Sequence, residues 1–451
     1  MRRIVRDQLL LVPAPFSHER VYELQAASAI LDSHPECARW VQSDLLAGGI
    51  SARYGRNGLS GEQVLRVLVI KQSNGFSYEG LAFHLADSST YRAFCRIGFA
   101  EPPPRKSSLQ RNLKLVRAET LERVNRVLVE HALAQEIETG QRLRSDSTVV
   151  EAAIHEPTDS SLLVDCVRVL TRLLREAGEY VAISFTNHNK RAKRRGIAIQ
   201  HSATAEKRLP LYRDLVKVAE NTVVSARFAV DELERVYPPE ALETPELRDL
   251  HASLKHFIKL AKKVVDQTSR RVFNEETVPA AEKVVSIFEP HADIIRKDRR
   301  DTLYGHKVFL TAGASGLIVD CIIERGNPRD SDLGLTLMER AVKVLGRLPE
   351  QVVFDGGFSS RASLEAIKAL GIRDVAFSKS PGIAIKEMVK RTKLYQGLRN
   401  FRAGIEGIIS FLKRSFGWDR CAWHSFGSFR AYTWGSVIAA NLVMLARHTL
   451  G

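Results

Sequence analysis

The chain has 451 residues, of which 44% are hydrophobic and 26% are charged, so it is long enough for two or three folded units and too apolar for a disordered protein. It contains 67 Lys and Arg against 52 Asp and Glu, and the net charge of +15 favours a polyanionic partner, nucleic acid first, over a merely solvated basic surface. The five cysteines form no C-x-x-C pair, which argues against a zinc ribbon or a disulfide framework and favours a reducing cytoplasm.

The sequence predicts neither a secretory signal nor a membrane segment. The start, "MRRIVRDQLLLVPAPF", is basic, but its apolar run before the proline is too short for a signal peptide. No stretch of about 18 uninterrupted apolar residues, the length of a membrane-spanning helix, occurs in the chain. A cytoplasmic protein that binds no membrane is therefore expected.

Residues 20 to 135 have the apolar periodicity of helices. Ser60 and Gln63 predict a capping box at the start of one of them. Further on, "SYEGLAFHLADSSTYRAFCRIGF" predicts two short helices that break at Asp87, a pattern found both in a helix-turn-helix that binds DNA and in plain helical bundles. "EPPPRKSS", at 101–108, predicts a linker before an amphipathic helical pair, because three prolines cannot continue a helix.

A strand is predicted in "RLRSDSTVVEAAI", residues 142–154, which is rich in β-branched residues. Alternation along this strand places Asp146 on one face and Ser145 and Ser147 on the other. Residues 160 to 290 then return to helical periodicity. They contain a basic cluster that either contacts DNA or forms a solvated face, made up of Lys190, Arg191, Lys193, Arg194 and Arg195.

Strands and helices alternate after residue 304. "YGHKVFLTAG" and "GLIVDCIIERG" predict a hairpin, and "DLGLTLMERAVKVLGRL" predicts the helix that follows it. In "PEQVVFDGGFSS", Asp355 comes directly after a short buried strand, and Gly356 and Gly357 leave room for a bulky partner to approach it. An Asp-Gly pair is equally typical of an ordinary turn. The helix "RASLEAIKALG" and the strand "RDVAFS" follow.

A last helix is predicted in "RNFRAGIEGIISFLKRSFGWDRC", residues 399–421. Its apolar side is separate from a face that carries Arg402, Glu406 and Lys413, at spacings of four and seven residues. In an isolated helix such a row indicates surface pairing worth about 0.3–0.5 kcal/mol. Three further acids predicted on strands are interpreted as exposed or edge positions with structural roles, namely Glu151, Asp320 and Glu324.

The spacing in this helix resembles the carboxyl-terminal signature of DDE transposases of bacterial insertion sequences, Tyr-x2-Arg-x3-Glu-x6-Lys. Its last three positions are matched by Arg402, Glu406 and Lys413. Arg399 stands where the family has tyrosine. The stretches around Asp146 and Asp355 resemble the family's two aspartate strands, and "PPPRKSSLQRNL" resembles its N-terminal helical region. Together they cover most of the chain and are similar to the ISNCY-type group.

The resemblance implies a mixed α/β fold with an RNase H-like catalytic core at 139–158 and 302–451. An N-terminal helical domain that binds DNA would occupy 1–138, and a large helical insertion after the first core strand would occupy 159–301. The catalytic and metal-binding residues would be Asp146, Asp355 and Glu406. They would hold two Mg²⁺ ions, for which Mn²⁺ substitutes.

The implied function is metal-dependent cleavage and strand transfer at the ends of the protein's own insertion sequence. Arg402 and Lys413 would contact phosphates beside the scissile bond. The implied partners are double-stranded DNA, both terminal inverted repeats and target DNA, and a second copy in an active homodimer associated with the bacterial nucleoid. Two alternatives stay open: an RNase H-like nuclease that does not join DNA, and an inactive DNA-binding repressor descended from a transposase.

Overall fold

The computed structural model describes most of the chain, in the ranges 18–47, 58–98, 100–242, 244–297 and 301–451. The amino-terminal stretch considered above as a signal peptide lies outside the described residues. The chain divides into two compact units, one made of Met1–Ala152 and Gly305–Gly451 and the other of Ala153–Tyr304. None of the described helices combines the length and apolar character that a membrane crossing requires.

Helices form the amino-terminal part of the first unit, as the periodicity predicts. They are α1 (Glu19–Asp32), α2 (Pro35–Leu46), α3 (Gly61–Asn74), α4 (Tyr78–Asp87), α5 (Ser89–Phe94), α6 (Lys106–Leu115) and α7 (Ala118–Ala134). The predicted capping box is confirmed, because the Ser60 hydroxyl accepts from the Gln63 amide and the Gln63 side chain accepts from the Ser60 amide. The linker is shorter than predicted, since α6 already begins two residues after the last of the three prolines.

A mixed sheet forms the centre of the first unit. The strands of the sheet are β1 (Arg142–Glu151), β2 (Asp293–Lys297), β3 (Asp301–Ala312), β4 (Ile318–Ile323), β5 (Gln351–Phe354) and β6 (Asp374–Phe377), of which β2 and the first residues of β3 belong to the second unit. The strand order is β2-β3-β1-β5-β6, and β4 pairs with β3. β1 is antiparallel to β3 and parallel to β5, which is itself parallel to β6.

This topology confirms the predicted fold class. The predicted hairpin is the antiparallel pair β3 and β4, and the two parallel strands lie on the other side of β1. A first strand flanked by an antiparallel hairpin and by two parallel strands is the mixed sheet of an RNase H-like core. Because β1 is central, its side chains are covered on both faces, and most of its residues are buried.

Five helices surround the sheet in the carboxyl-terminal part. They are α13 (Asp330–Leu345), α14 (Arg361–Ala369), α15 (Ile385–Met388), α16 (Thr392–Ser415) and α17 (Phe426–Leu450). α16 packs against β1, β5 and β6. α17 lies beyond the last predicted element and packs against the amino-terminal helices and β4. There the buried Asn441 side chain donates to Asn125 of α7 at 2.7 Å and accepts from the Ile318 amide at 3.0 Å.

The second unit is helical over most of its length. Its helices are α8 (Asp159–Ala177), α9 (Asn189–His201), α10 (Ala205–Val236), α11 (Pro239–Leu242) and α12 (Pro245–Val272). Leucine and valine side chains of α8, α10 and α12 form its apolar core. The helical prediction for 160–290 is wrong beyond Val272, because residues 273–292, all of them described, contain no α-helix. The segment contains a 3-10 helix, Ala280–Glu282, and Gln267 of α12 fixes it through hydrogen bonds to both the amide and the carbonyl of Val284.

The close approach of β3 to β1 yields a test of the sheet register. Gly305 lies opposite Glu151, and a Cβ there would be 2.1 Å from the Val150 carbonyl oxygen. Gly305→Ala is expected to destabilise the fold by about 1–3 kcal/mol, because backbone atoms of β1 cannot yield without losing ladder hydrogen bonds. Thermal unfolding measures the change.

The matched control for this substitution is Gly397→Ala in α16, where a Cβ would meet nothing within 4 Å. That variant should be stabilised by up to about 1 kcal/mol, because alanine favours a helix over glycine. Equal melting temperatures for the two variants would contradict the register of β1 and β3.

Candidate active site

Two of the predicted acids are neighbours because their strands are parallel. Asp146 lies in β1 and Asp355 directly follows β5. Ser145 pairs with Phe354 in the register of these strands, so the next residue of each strand emerges at the same place. Glu406 comes from α16, which packs across β1 and β5. Residues that are far apart in sequence are thus brought to one edge of the sheet.

The Arg402 guanidinium joins the three carboxylates. Its Nη2 donates to Asp146 Oδ2 at 2.8 Å and lies 3.0 Å from Asp355 Oδ1. Its Nη1 donates to Glu406 Oε1 at 3.0 Å. The side chain of Asp146 is 11% exposed, that of Asp355 39% and that of Glu406 65%. Glu406 is therefore the most accessible of the three and Asp146 the most enclosed.

The environments of the two aspartates displace their pKa values in opposite directions. Burial raises the pKa of Asp146 to about 6, although Arg402 and the Ser147 amide favour its ionised form. Burial also acts upward on Asp355, but the Gly356 amide, Arg402 and the Ser378 hydroxyl outweigh it and lower the pKa of that carboxyl. Neighbouring acids with diverging pKa values are typical of functional sites.

The position of α16 depends on residues that the sequence analysis missed. Arg144, two residues before Asp146, donates from Nη1 to the Phe401 carbonyl at 2.9 Å, and its guanidinium lies 4.6 Å from the centre of the Phe401 ring. A Cβ at Gly404 would lie 2.0 Å from Arg144 Nη1, so this glycine makes room for the arginine. Strand alternation, which places Arg144 on the same face as Asp146, is the signal that would have found it.

The glycines after Asp355 have a different role from the predicted one. A Cβ at Gly356 would lie 2.9 Å from Lys379 Cβ, and one at Gly357 would lie 2.7 Å from Asp330 Oδ2. They therefore accommodate side chains of this chain itself. Asp330 accepts from Ser147 Oγ at 3.1 Å and from Lys307 Nζ at 3.0 Å, which ties the start of α13 to β1 and β3.

Two positions of the family signature on α16, Lys413 and Arg399, lie in different surroundings. Lys413 lies partly exposed near the end of the helix. Arg399, at the position of the family's tyrosine, stacks its guanidinium 5.9 Å from the centre of the Tyr395 ring. The Tyr395 hydroxyl donates to the Phe377 carbonyl at 2.9 Å, so an aromatic side chain one helical turn earlier joins α16 to β6.

Of the three other strand acids, which the sequence analysis interpreted as exposed or edge positions, Asp320 was placed wrongly. Asp320 is 1% exposed rather than at the surface, because α13 covers β4 and brings Arg340 within 2.6 Å of its carboxylate. Glu324 follows the end of β4, and Glu151 is the last residue of β1.

The basic cluster of the second unit lies on α9, and its members differ in their partners. Arg191 and Arg195 both pair with Asp214 of α10, whose pKa these bonds lower. Within the described residues, the exposed cations of the cluster that form no ion pair are Lys190, Lys193 and Arg194. Only part of the predicted cluster is thus available to an anionic partner.

The possible helix-turn-helix consists of α4 and α5, and its main cation is turned inward. Ser88 caps α5, accepting from the Tyr91 amide. Arg92 donates to the carbonyls of Leu85, Gly98 and Glu101, so it holds the segment together. The guanidinium of Arg92 is therefore engaged within the fold.

The donor set of the site fits a divalent cation. Carboxylate oxygens are the hard ligands that Mg²⁺ prefers, and all three acids already converge on a single cation, the Arg402 guanidinium. Within the described ranges, no three His, Cys, Asp or Glu side chains are grouped closely enough to hold a metal ion directly. Arg402 lies between the carboxylates, so metal binding requires it to move.

Two family models match the chain. One, described as a transposase DDE domain, matches residues 254–442, and the other, described as a transposase domain (DUF772), matches residues 23–115. The first range contains Asp355, Arg402 and Glu406, whereas Asp146 lies outside both ranges. A search of the curated proteins and a search of the solved structures each found no match.

The raised pKa of Asp146 predicts a pH-dependent stability. Protonation of Asp146 contributes to the free energy of unfolding. This contribution is complete only below the ordinary pKa near 4, where the carboxyl is protonated in both the folded and the unfolded chain, and it is lost as the pH rises through about 6. Asp146→Asn cannot ionise, so the metal-free variant is expected to be more stable than the wild type by about 2–3 kcal/mol near pH 7.5 and by only about 1 kcal/mol near pH 4.5. Thermal unfolding in the presence of a chelator measures both differences.

Glu350→Gln serves as the control, because Glu350 lies at the other end of β5 in an exposed ion pair with Arg373. Its stability should change little at either pH. If Asp146→Asn gains the same stability at both pH values, the gain does not come from the raised pKa of Asp146.

Proposed function

We propose that the chain is a DDE-type transposase of an insertion sequence, as the two matching transposase family models indicate, and that it cleaves DNA at the ends of its own element and joins those ends to target DNA. The observation that supports this most directly is the convergence of Asp146, Asp355 and Glu406 on Arg402 at one edge of the sheet. Three acids with no cysteine or histidine among them suit phosphodiester chemistry on a hard metal ion.

The three carboxylates would hold Mg²⁺, with two ions as the expected number and Mn²⁺ as a substitute. Ions held by these residues would supply stabilisation of the charge that develops on oxygen in a displacement at phosphorus. Ser378 donates to Asp355 Oδ1 at 2.9 Å and thereby orients that carboxylate. Arg144 fixes α16, and with it Glu406, against β1 through its bond to the Phe401 carbonyl.

Arg402 has two roles in this proposal. In the free protein its guanidinium offsets part of the negative charge of the three acids, which would otherwise repel one another at the edge of the sheet. When DNA enters, the same guanidinium is suited to a phosphate beside the scissile bond, because its planar fork of donors matches phosphate oxygens. Lys413, seven residues further along α16, would contact the backbone as a point charge.

The partners in this proposal are the terminal inverted repeats and the target DNA, bound by an active homodimer. On α9, the exposed Lys190, Lys193 and Arg194 are the members of the basic cluster suited to the DNA backbone. Arg191 and Arg195 instead hold α9 against α10 through Asp214. The N-terminal helical region would bind the element ends.

Cleavage by single-site variants tests the proposal. Asp355→Asn and Glu406→Gln are expected to lose cleavage of DNA bearing the element's own flanking sequences by about 1,000-fold or more, while retaining DNA binding. Wild type should cut only when Mg²⁺ or Mn²⁺ is added. The measurement is gel analysis of labelled end fragments beside a binding assay on the same DNA.

Glu350→Gln removes a carboxylate at the opposite end of the same strand and should cut like the wild type. Cleavage by Asp355→Asn at the wild-type rate would refute the assignment. Cuts without strand-transfer products in the presence of target DNA would indicate a nuclease that does not join. Binding to the ends without cleavage by any of these proteins would indicate a repressor.

The position of Arg402 predicts competition between its guanidinium and a metal. Arg402→Gln is expected to bind Mn²⁺ about tenfold more tightly than the wild type in the absence of DNA, because the acids lose their internal counter-charge. Arg399→Gln removes the same charge one turn earlier in α16 and should leave the affinity near that of the wild type. Calorimetric titration of Mn²⁺ compares the three proteins, and equal affinities would argue against competition at this site.

A further inference from the structure

The second unit contains a basic groove outside the α9 cluster. It lies between α10 and α12 and has a volume of about 710 Å³. Val230 and Ile258 contribute its apolar lining. Its charged walls carry one acid, Asp231, and five cations, namely Arg227, Lys255, Lys259, Lys262 and Lys263.

Most of these cations lack a counter-charge. Lys255 pairs with Glu234 at 2.6 Å. Within the part of the chain that the structure describes, the other four form no ion pair or hydrogen bond, and all four are exposed. In this they differ from Arg270 of the same unit, whose guanidinium is bonded to two glutamates. The groove therefore concentrates positive charge that the fold itself does not use.

The spacing of the lysines on α12 suits a linear polyanion. Lys255, Lys259, Lys262 and Lys263 follow one side of the helix, and the row from first to last extends about 12 Å at 1.5 Å per residue. Each strand of a DNA duplex carries one phosphate for about every 3.4 Å of helix axis. The row thus matches about three or four phosphates of one strand.

We propose that the α10–α12 groove binds the phosphate backbone of duplex DNA. The proposal deepens the proposed function and rests on it, since it assigns a DNA contact to the helical insertion. Lysines are flexible point charges that bind phosphates without reading base edges, so the contact is independent of sequence. The groove presents a row of such charges and a single acid, which favours an extended polyanion over a small ligand held by oriented polar groups.

Two charge-matched variants test the groove. The groove variant combines Lys259→Gln, Lys262→Gln and Lys263→Gln. The control variant combines Arg172→Gln, Arg175→Gln and Lys217→Gln, which removes the same number of exposed positive charges from α8 and α10 outside the groove lining. Both are made in the full chain, and thermal unfolding should leave both within about 1 kcal/mol of wild type, because only exposed side chains change.

The readout is the salt dependence of binding to a random-sequence duplex and to a duplex bearing the element end. For the groove variant, the slope of log K against log salt should fall in magnitude by about 2–3 on both duplexes, because each phosphate contact contributes about 0.9. The control variant should change the slope by less than about 1. Equal slope changes in the two variants, or none in the groove variant, would overturn the proposal.

Cleavage of the element-end duplex, measured in parallel, separates this proposal from the proposed function. If the groove variant has the smaller slope but the wild type never cuts, the result would support DNA binding by the groove and count against transposition. Normal cutting together with an unchanged slope in the groove variant would support transposition and dismiss the groove.

Discussion

The bonds from one guanidinium to three carboxylates are the interaction on which the candidate site depends. Asp146, Asp355 and Glu406 arrive from a central strand, from the end of its parallel neighbour and from a helix that crosses both. Held without a counter-charge, three acids at one sheet edge would repel one another. Arg402 reduces this repulsion in the free protein, and it comes from the same helix as Glu406, one turn away.

The rest of the first unit keeps these groups in register. β1 is the central strand, and its pairing with β5 places Asp146 beside Asp355. Arg144 uses the space left by Gly404 to fix α16 to β1, while Tyr395 joins the same helix to β6. On the opposite face, Asp330 ties α13 to β1 and β3. Small residues near the site are therefore explained by the side chains that pack against them.

Charge pairing distinguishes structural cations from those available to a partner. The net charge of +15 describes the whole chain, but some of the positively charged side chains are bonded to groups of the same chain. Arg92 donates hydrogen bonds to neighbouring carbonyls, and Arg191 and Arg195 form ion pairs with Asp214. Lys259, Lys262 and Lys263 of the α10–α12 groove form no such ion pair within the described chain. A polyanion is thus attracted most strongly where the fold leaves charge uncompensated.

Local patterns in the sequence determined the helices of the amino-terminal region, the β3–β4 hairpin, the position of Asp355 after its strand and the helical face of Arg402 and Glu406. These features depend on periodicity, capping and turn chemistry within a few residues, which a sequence displays directly. The end of the helical run before residues 273–292, the burial of Asp320 and the anchoring of α16 by Arg144 were decided only by tertiary structure. So was the pairing of Arg191 and Arg195 with Asp214. Each of these depends on a partner from a distant part of the chain, such as Gln267, Arg340 or Phe401, and spacing along the sequence does not encode which distant side chain will be the neighbour.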